Sequence, residues 1–297
     1  SDDAEDIIQR IHYARSDHKG HHKPNELIHL RKEALEEARR FKEVAHRIEE
    51  AILDNSLELN FQPIYSFEKN RITSLEVLSR LKDGKHNYIN PEYFIHVAEI
   101  NHTIIQLSRQ MFEKTCRFAV DNNIFDRGIN DMNINISPIQ CQDKHLVQDL
   151  KKIAAKYGIP FERFHFEITE SRLTDEKAVR ETLTKLKENG AKIALDDFGT
   201  GYSNIASIML MPIDFVKIDK SLLWSYASGD NEFLNELMPM IRGEGKKIIA
   251  EGIETEEHIE ILRRMGGDFL QGYYYSKPLN EENFIRFLDA RNNGAEA

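Results

Sequence analysis

The chain has 297 residues, 40% hydrophobic and 30% charged, the make-up of an ordinary globular protein long enough for one large α/β domain and a modest appendage. Its formal net charge of -10, with no dominating basic stripe, argues against binding a polymeric nucleic-acid backbone and means that an anionic ligand would need cations to reach an acidic site. No apolar run approaches the roughly 18 residues that span a bilayer, no secretory signal opens the chain, and the isolated Cys116 and Cys141 fit free thiols in a reducing compartment.

In chain order, residues 4 to 20 are predicted as an amphipathic helix, with Ile7, Ile8, Ile11 and Ala14 at helical spacing and Gly20 just past its end. His18, His21 and His22 crowd around the linker that follows, which reads as a solvated tract rather than a metal site. From about 31 to 54 a second helix places Ala34, Ala38, Phe41, Ala45, Ile48 and Ile52 at spacings of four and three. That is under three heptads, so it reads as a connecting helix packed on its neighbour. The first residue is Ser rather than Met, and an excised fragment is expected.

After Asn55 short apolar runs alternate with helical stretches. Strands are predicted at 57–65 and 72–80, joined as a hairpin across Glu68 to Arg71, then helices at 91–99 and 102–122. Further strands follow near 131–136, 163–168, 192–195, 214–218, 247–250 and 268–270. Eight strands separated mostly by helices imply a mainly parallel, closed barrel, whose active site would lie at the C-terminal ends of the strands.

The strand ends are where the polar residues gather. In LDDFGTGYSN, Asp196 and Asp197 can converge only where the strand stops and turns, a turn that Gly199 and Gly201 permit. Glu76 lies in SLEVLSR with Arg80 on the same face, and Asn135 closes MNINISP. Each also has an ordinary reading, as an outward strand residue or a turn residue. Glu167, among Phe164, Phe166 and Ile168, is harder to read as ordinary, since lone carboxylates are seldom buried without partners. Glu170 is equally readable as an acid near a helix start at Thr174. Lys217, with Asp219 beyond it, brings a cation among these acids, as a functional group or as one half of a strand-end salt bridge. Glu251 follows KKIIA, Glu254 precedes a predicted N-cap at Thr255, and Gln271 ends the last strand. Glu76, Asn135, Glu167, Asp196 and Asp197 offer oxygen ligands and no thiol or imidazole, the set preferred by Mg²⁺ or Mn²⁺, and Glu251 adds enough carboxylate for two metals.

FQPIY, EVLSR, NINIS, FEITES, DDFGTGYSN, VKIDKS, IAEGIET and LQGYYYSKPL together resemble, in order, the motifs of the EAL-domain family of cyclic di-GMP phosphodiesterases. The naming motif reads Glu-Val-Leu here, which spares the carboxylate. The resemblance runs from about 46 to 291 and implies a TIM-like (β/α)8 barrel whose first strand is antiparallel, in keeping with the hairpin. It implies that Glu76, Asn135, Glu167 and Asp196 hold one metal and that Asp196, Asp197 and Glu251 surround a second. The catalytic set would be Glu76, Asp196, Asp197, Glu251 and Lys217, with Lys217 orienting the attacking water. Arg80 and Gln271 are expected near the dinucleotide, with Gln62, Leu78 and Pro278 as further contacts. Glu170, Asp219, Glu254 and Thr200 would support the DFGTGYSN loop and its neighbours.

The expected function is therefore hydrolysis of cyclic di-GMP to 5′-pGpG with two Mg²⁺ or Mn²⁺, Ca²⁺ inhibiting, in bacterial second-messenger signalling. A receptor that holds cyclic di-GMP without cutting it, and a barrel enzyme abstracting protons beside a metal, are the rival readings. Residues 1–22 look like the closing helix of a GGDEF domain, 23–54 are linker and connecting helix, 55–291 the barrel and 292–297 a tail. A homodimer is expected, with upstream sensory or GGDEF-like domains. The expected location is the cytoplasm, with no membrane contact by this segment; an intact protein anchored to the membrane would place this domain on the cytoplasmic side.

Overall fold

The computed structural model describes residues 32–169, 176–199 and 211–292. They fall in two units, one made of the described residues up to Ser56 with Leu81–Thr103, the other of Leu57–Arg80 with the described residues from Ile104 onward. The predicted helix at 4–20 and the histidine tract lie outside the described residues, as do Glu170, Thr200 and Gly201. Among the described residues no helix is long and apolar enough to cross a membrane.

In the first unit, α1 (Lys32–Asp54) packs against α2 (Pro91–Ile100), which starts at Asn90, whose side chain accepts from Glu92 N, with Pro91 in the first turn. The stripe that α1 buries is Val44, Ile48 and Ala51. It is rotated from the predicted one, for Phe41, Ala45 and Ile52 are only half-buried. Arg47 Nε donates to Lys82 O at 3.2 Å and Arg40 lies over the Tyr93 ring, so the polar flank of the helix is also engaged.

The second unit is built on β1 (Glu58–Ser66), β2 (Arg71–Arg80), β3 (Asp131–Asn135), β4 (Phe164–Thr169), β5 (Lys192–Phe198), β6 (Phe215–Ile218), β7 (Lys247–Ala250) and β8 (Phe269–Leu270). β2 to β8 pair in parallel, while β1 is antiparallel to both β2 and β8 and so closes the barrel with one reversed strand. A ninth strand, β9 (Leu279–Asn280), pairs with the start of β1. At two residues it is too short to leave a periodic signal in the sequence. Helices α3 (Ile104–Asp121), α4 (Pro138–Cys141), α5 (Leu146–Lys156), α6 (Glu176–Glu188), α7 (Lys220–Ala227), α8 (Leu234–Gly243), α9 (Glu256–Met265) and α10 (Glu281–Asn292), with one 3-10 turn at Phe161–Arg163, complete the described elements.

Alternation along the strands sets what lines the barrel. Ile64, Ala194, Phe215 and Ile249 form one buried apolar cluster with Phe269 packed on it. Each of them sits two residues from a polar residue on the same strand face: Gln62, Asp196, Lys217, Glu251 and Gln271 respectively. An apolar layer thus lies directly beneath the strand-end residues.

β5 departs from expectation in one respect. The strand does not stop at Leu195 but runs on to Phe198, with a shift in its pairing to β6 between Leu195 and Phe198. Asp197 takes a left-handed φ of 55° within it. This bulge-like irregularity, rather than a strand end, delivers two successive carboxylates to one side. Gly199 follows at φ 104°, and a Cβ there would meet Leu222 Cδ1 at 2.1 Å.

After β8, Gly272 lets two backbone segments touch: an added Cβ would stand 2.2 Å from both N and O of Ile253. Because these are backbone atoms, Gly272→Ala is expected to destabilise the protein by about 1–3 kcal/mol or more, read as a lowered denaturation midpoint. An unchanged midpoint would contradict this close approach.

Candidate active site

The site grows from one buried cation. Lys217, in the middle of β6, is 1% exposed, and its Nζ lies 2.8 Å from Glu251 Oε1, 2.9 Å from Glu167 Oε2, 2.9 Å from Asp196 Oδ1 and 3.5 Å from Glu76 Oε2. These acids come from β2, β4, β5 and the residue after β7, so only a closed barrel brings them together. Barrel pairing sets their heights, with Asn135 level with Glu167 and Glu76 level with Asn133.

A shell of amides holds the acids in place. Asn135 Nδ2 donates to Glu76 Oε1 at 3.0 Å and Gln271 Nε2 donates to Glu76 Oε2 at 2.6 Å. Gln271 also donates to Gln62 Oε1 at 3.1 Å, and Gln62 Nε2 reaches Ser276 O at 3.3 Å. Asn133, absent from the predicted set, donates from Nδ2 to Glu167 Oε1 at 2.8 Å. Its position two residues before Asn135, on the same face of β3, was the available signal.

Towards the open side, Asp196, Asp197 and Glu251 present carboxylate oxygens that all lie within 4.8 Å of one another. Asp196 Oδ1 is buried and within ion-pair distance of Lys217, yet makes no aligned hydrogen bond among the described residues. Four carboxylates therefore lie within ion-pair distance of one ammonium, and a fifth, Asp197, joins Asp196 and Glu251 beside it. Hard divalent cations suit such an oxygen-only donor set, so the residues present fit a metal site.

The charges bear this out. Burial works against the Lys217 charge, but Asp196, Glu167, Glu251 and Glu76 hold its ammonium well above the usual lysine range. Burial also works to raise Glu76, yet the Lys217 charge and the hydrogen bonds from Gln271 and Asn135 keep it below the usual carboxylate range. For Glu167, burial wins over Lys217 and is reinforced by Glu76 and Asp196, so its carboxyl is pushed well up. Burial moves Glu251 up to about 8 despite Lys217, and burial with the neighbouring Asp196 moves Asp197 up to about 6. One internal cation is not enough to keep all of these groups ionised.

Other predicted residues lie at varying distances from this centre. Leu78 and Arg80 continue the Glu76 face of β2 towards its C-terminal end, both half-buried, and Arg80 donates to Ser79 O. Pro278 is half-buried just before β9. Asp219 caps α7, accepting from Ser221 N at 2.8 Å, while its own N donates to Phe198 O at 3.2 Å. It thus ties the helix to the end of β5. Glu254 is exposed beside Thr255, which caps α9 as expected. Glu170 and Thr200 fall outside the described residues. Trp224, not singled out in the sequence, donates from its indole N–H to Gly252 O at 3.0 Å, one residue beyond Glu251.

Fold and site together define a (β/α)8 barrel with a reversed first strand and an acidic, metal-suited C-terminal mouth. The EAL domain profile matches residues 45–278, and the chain belongs to that family. It is 32% identical over 245 residues to the signalling protein YkoW of Bacillus subtilis, covering 81% of this chain and 30% of that one. To the cyclic di-GMP phosphodiesterase NbdA of Pseudomonas aeruginosa it is 28% identical over 251 residues, covering 84% and 32%. Among solved structures, the EAL enzyme Bd1971 in its form bound to cAMP and cyclic di-GMP superposes with a TM-score of 0.77 at 25% identity, covering 97% of this chain and 76% of that one. The chain spans about a third to a half of the length of the curated relatives it matches.

The raised Glu251 carboxyl has a measurable consequence. Its folded value of about 8 lies above the ordinary 4.5, so its contribution to stability is full below the ordinary value and is lost as pH rises through about 8. Cation-free protein is expected to lose stability across that interval. If Glu251 ligates a divalent cation, adding Mn²⁺ at about pH 7 should release more protons than at about pH 9, because a liganding carboxylate must be ionised. Calorimetry in buffers of different ionisation enthalpy measures this, and equal proton release at both pH values would contradict it.

Proposed function

We propose that this domain is a metal-dependent phosphodiesterase that opens one phosphodiester of cyclic di-GMP to give linear 5′-pGpG. The observation that carries this reading is the set of four carboxylates around Lys217 at the barrel mouth, with Asp197 joining Asp196 and Glu251 in a cluster of carboxylate oxygens on its open side. It is supported by a relative named as a cyclic di-GMP phosphodiesterase and a structural neighbour solved with cyclic di-GMP bound.

In this reading Glu76, Asn135, Glu167 and Asp196 hold one divalent cation and Asp196, Asp197 and Glu251 a second, Mg²⁺ or Mn²⁺. When bound, these cations supply the Lewis-acid charge that acidifies a water and offsets the charge of the phosphodiester. The larger Ca²⁺, which takes more oxygens in looser geometry, is expected to inhibit. Lys217 fixes the directions of four acids and places a permanent positive charge where the attacking water and the phosphate oxygens meet. Arg80, Gln271, Gln62, Leu78 and Pro278 face the dinucleotide. A water oxygen bonds to phosphorus, the bond from phosphorus to the 3′ oxygen breaks, and that oxygen leaves with a proton, so the phosphate stays on the 5′ side.

The same reading extends to the intact protein: a cytoplasmic domain of a longer signalling chain, receiving input from upstream sensory or GGDEF-like parts and acting as a homodimer. The 1–22 segment as a GGDEF remnant and the 55–291 barrel boundaries belong to this proposal.

Incubation with cyclic di-GMP and Mg²⁺ or Mn²⁺, resolved by chromatography, is expected to yield pGpG. EDTA and Glu76→Ala should each abolish it, and Lys217→Met should lower kcat by about 10²-fold or more. Cyclic di-GMP that binds but stays intact across metals would make the domain a receptor instead. If it neither binds nor is cut, the site assignment fails.

A further inference from the structure

We infer that Asn133 is a positioning residue for the acid cluster, acting through Glu167; this rests on the metal reading above. Glu167 is completely buried, and its two oxygens are engaged from opposite partners, Oε1 by Asn133 Nδ2 at 2.8 Å and Oε2 by Lys217 Nζ at 2.9 Å. Asn135, the amide one step nearer the mouth, is exposed and reaches Glu76 instead. Without Asn133, the Glu167 carboxylate would be held at one oxygen only, free to turn about its bond and away from the direction Lys217 sets.

A purely structural role is hard to reconcile with the rest of Asn133. The residue is 1% exposed, and among the described residues its buried Oδ1 has no hydrogen-bond partner. A buried unsatisfied acceptor destabilises a fold, and an apolar side chain of the same size would remove it. Turning the amide over would relieve Oδ1 only by giving up the N–H that Asn133 donates to Glu167 Oε1. What the amide gives in return is the second anchor on a carboxylate that needs a fixed direction. Groups behind liganding residues commonly set metal affinity in this way.

The test is a Mn²⁺ titration of the whole chain, followed by the electron paramagnetic resonance signal of free Mn²⁺, with thermal midpoints measured in EDTA. Asn133→Leu keeps the branched shape at a larger volume and loses the donor; Asn133→Ala loses both bulk and donor. Both variants are expected to bind one class of Mn²⁺ about tenfold more weakly. Their midpoints should diverge, Leu matching or exceeding the unaltered chain and Ala falling below it, because only Ala leaves a cavity. Asn133→Val replaces Leu should Leu overpack the barrel. If the apolar variant binds Mn²⁺ like the unaltered chain, or affinity simply follows the thermal midpoint, Asn133 is structural and the inference is overturned. An unaltered chain that folds but takes up no Mn²⁺ overturns the metal reading itself, and this inference with it.

Discussion

The constraint on which the rest of this structure depends is the burial of the Lys217 ammonium. Taking a charge out of water costs several kcal/mol in a protein interior unless close, well-placed partners replace the lost hydration, an order of magnitude set by ion burial in general. Here four acids supply that replacement from β2, β4, β5 and the end of β7. No pair of neighbouring strands could do so alone. Closing the barrel and assembling the site are therefore one event, and the reversed β1 takes part by bringing Gln62 to Gln271, which in turn fixes Glu76.

The bulge-like shift in β5 solves a second geometric problem. A regular strand sends successive side chains to opposite faces, so an Asp-Asp pair would put one carboxylate in the barrel and the other among the helices. The left-handed Asp197 breaks that alternation at a single residue, and its carboxyl joins those of Asp196 and Glu251. The distortion is held from behind. Asp219 donates its backbone N–H to Phe198 while its side chain starts α7, and Leu222 of that helix occupies the space that a side chain at Gly199 would need.

Much of this was legible in the sequence, and the parts that were not share a physical cause. Short apolar runs gave eight strands, and the acids at their ends pointed to the mouth, because a carboxylate inside an apolar run such as FHFEI is hard to explain otherwise. β9 escaped because two residues have no periodicity. Around the correctly placed Ile48 the α1 stripe was misplaced because Phe41, Ala45 and Ile52 satisfy helical spacing as well as Val44 and Ala51 do, and only packing chooses between them. Asp197 was expected to turn at a strand end, since a bulge has the same local sequence as a stop. Asn133 was passed over because an amide within a strand carries no charge to betray its burial, although strand parity put it on the face of Asn135.

The layer beneath the site explains why its charge imbalance persists. Ile64, Ala194, Phe215 and Ile249 close the barrel under the acids, with Phe269 packed on them. On the β3 and β4 side the same level holds Asn133 and His165, and burial pushes the imidazole down to about 4, so it stands neutral near pH 7. Apolar groups, an amide and a neutral ring cannot balance carboxylates, and they bar water from doing so from below. Among the described residues, the side open to a further positive charge is the mouth, where Asn135 is exposed and Asp197 and Glu251 are only half-buried. The deep acids Glu76 and Glu167 are already engaged by Lys217 and the amides. The barrel thus holds its inner acids fixed from below and leaves the outer ones facing the mouth.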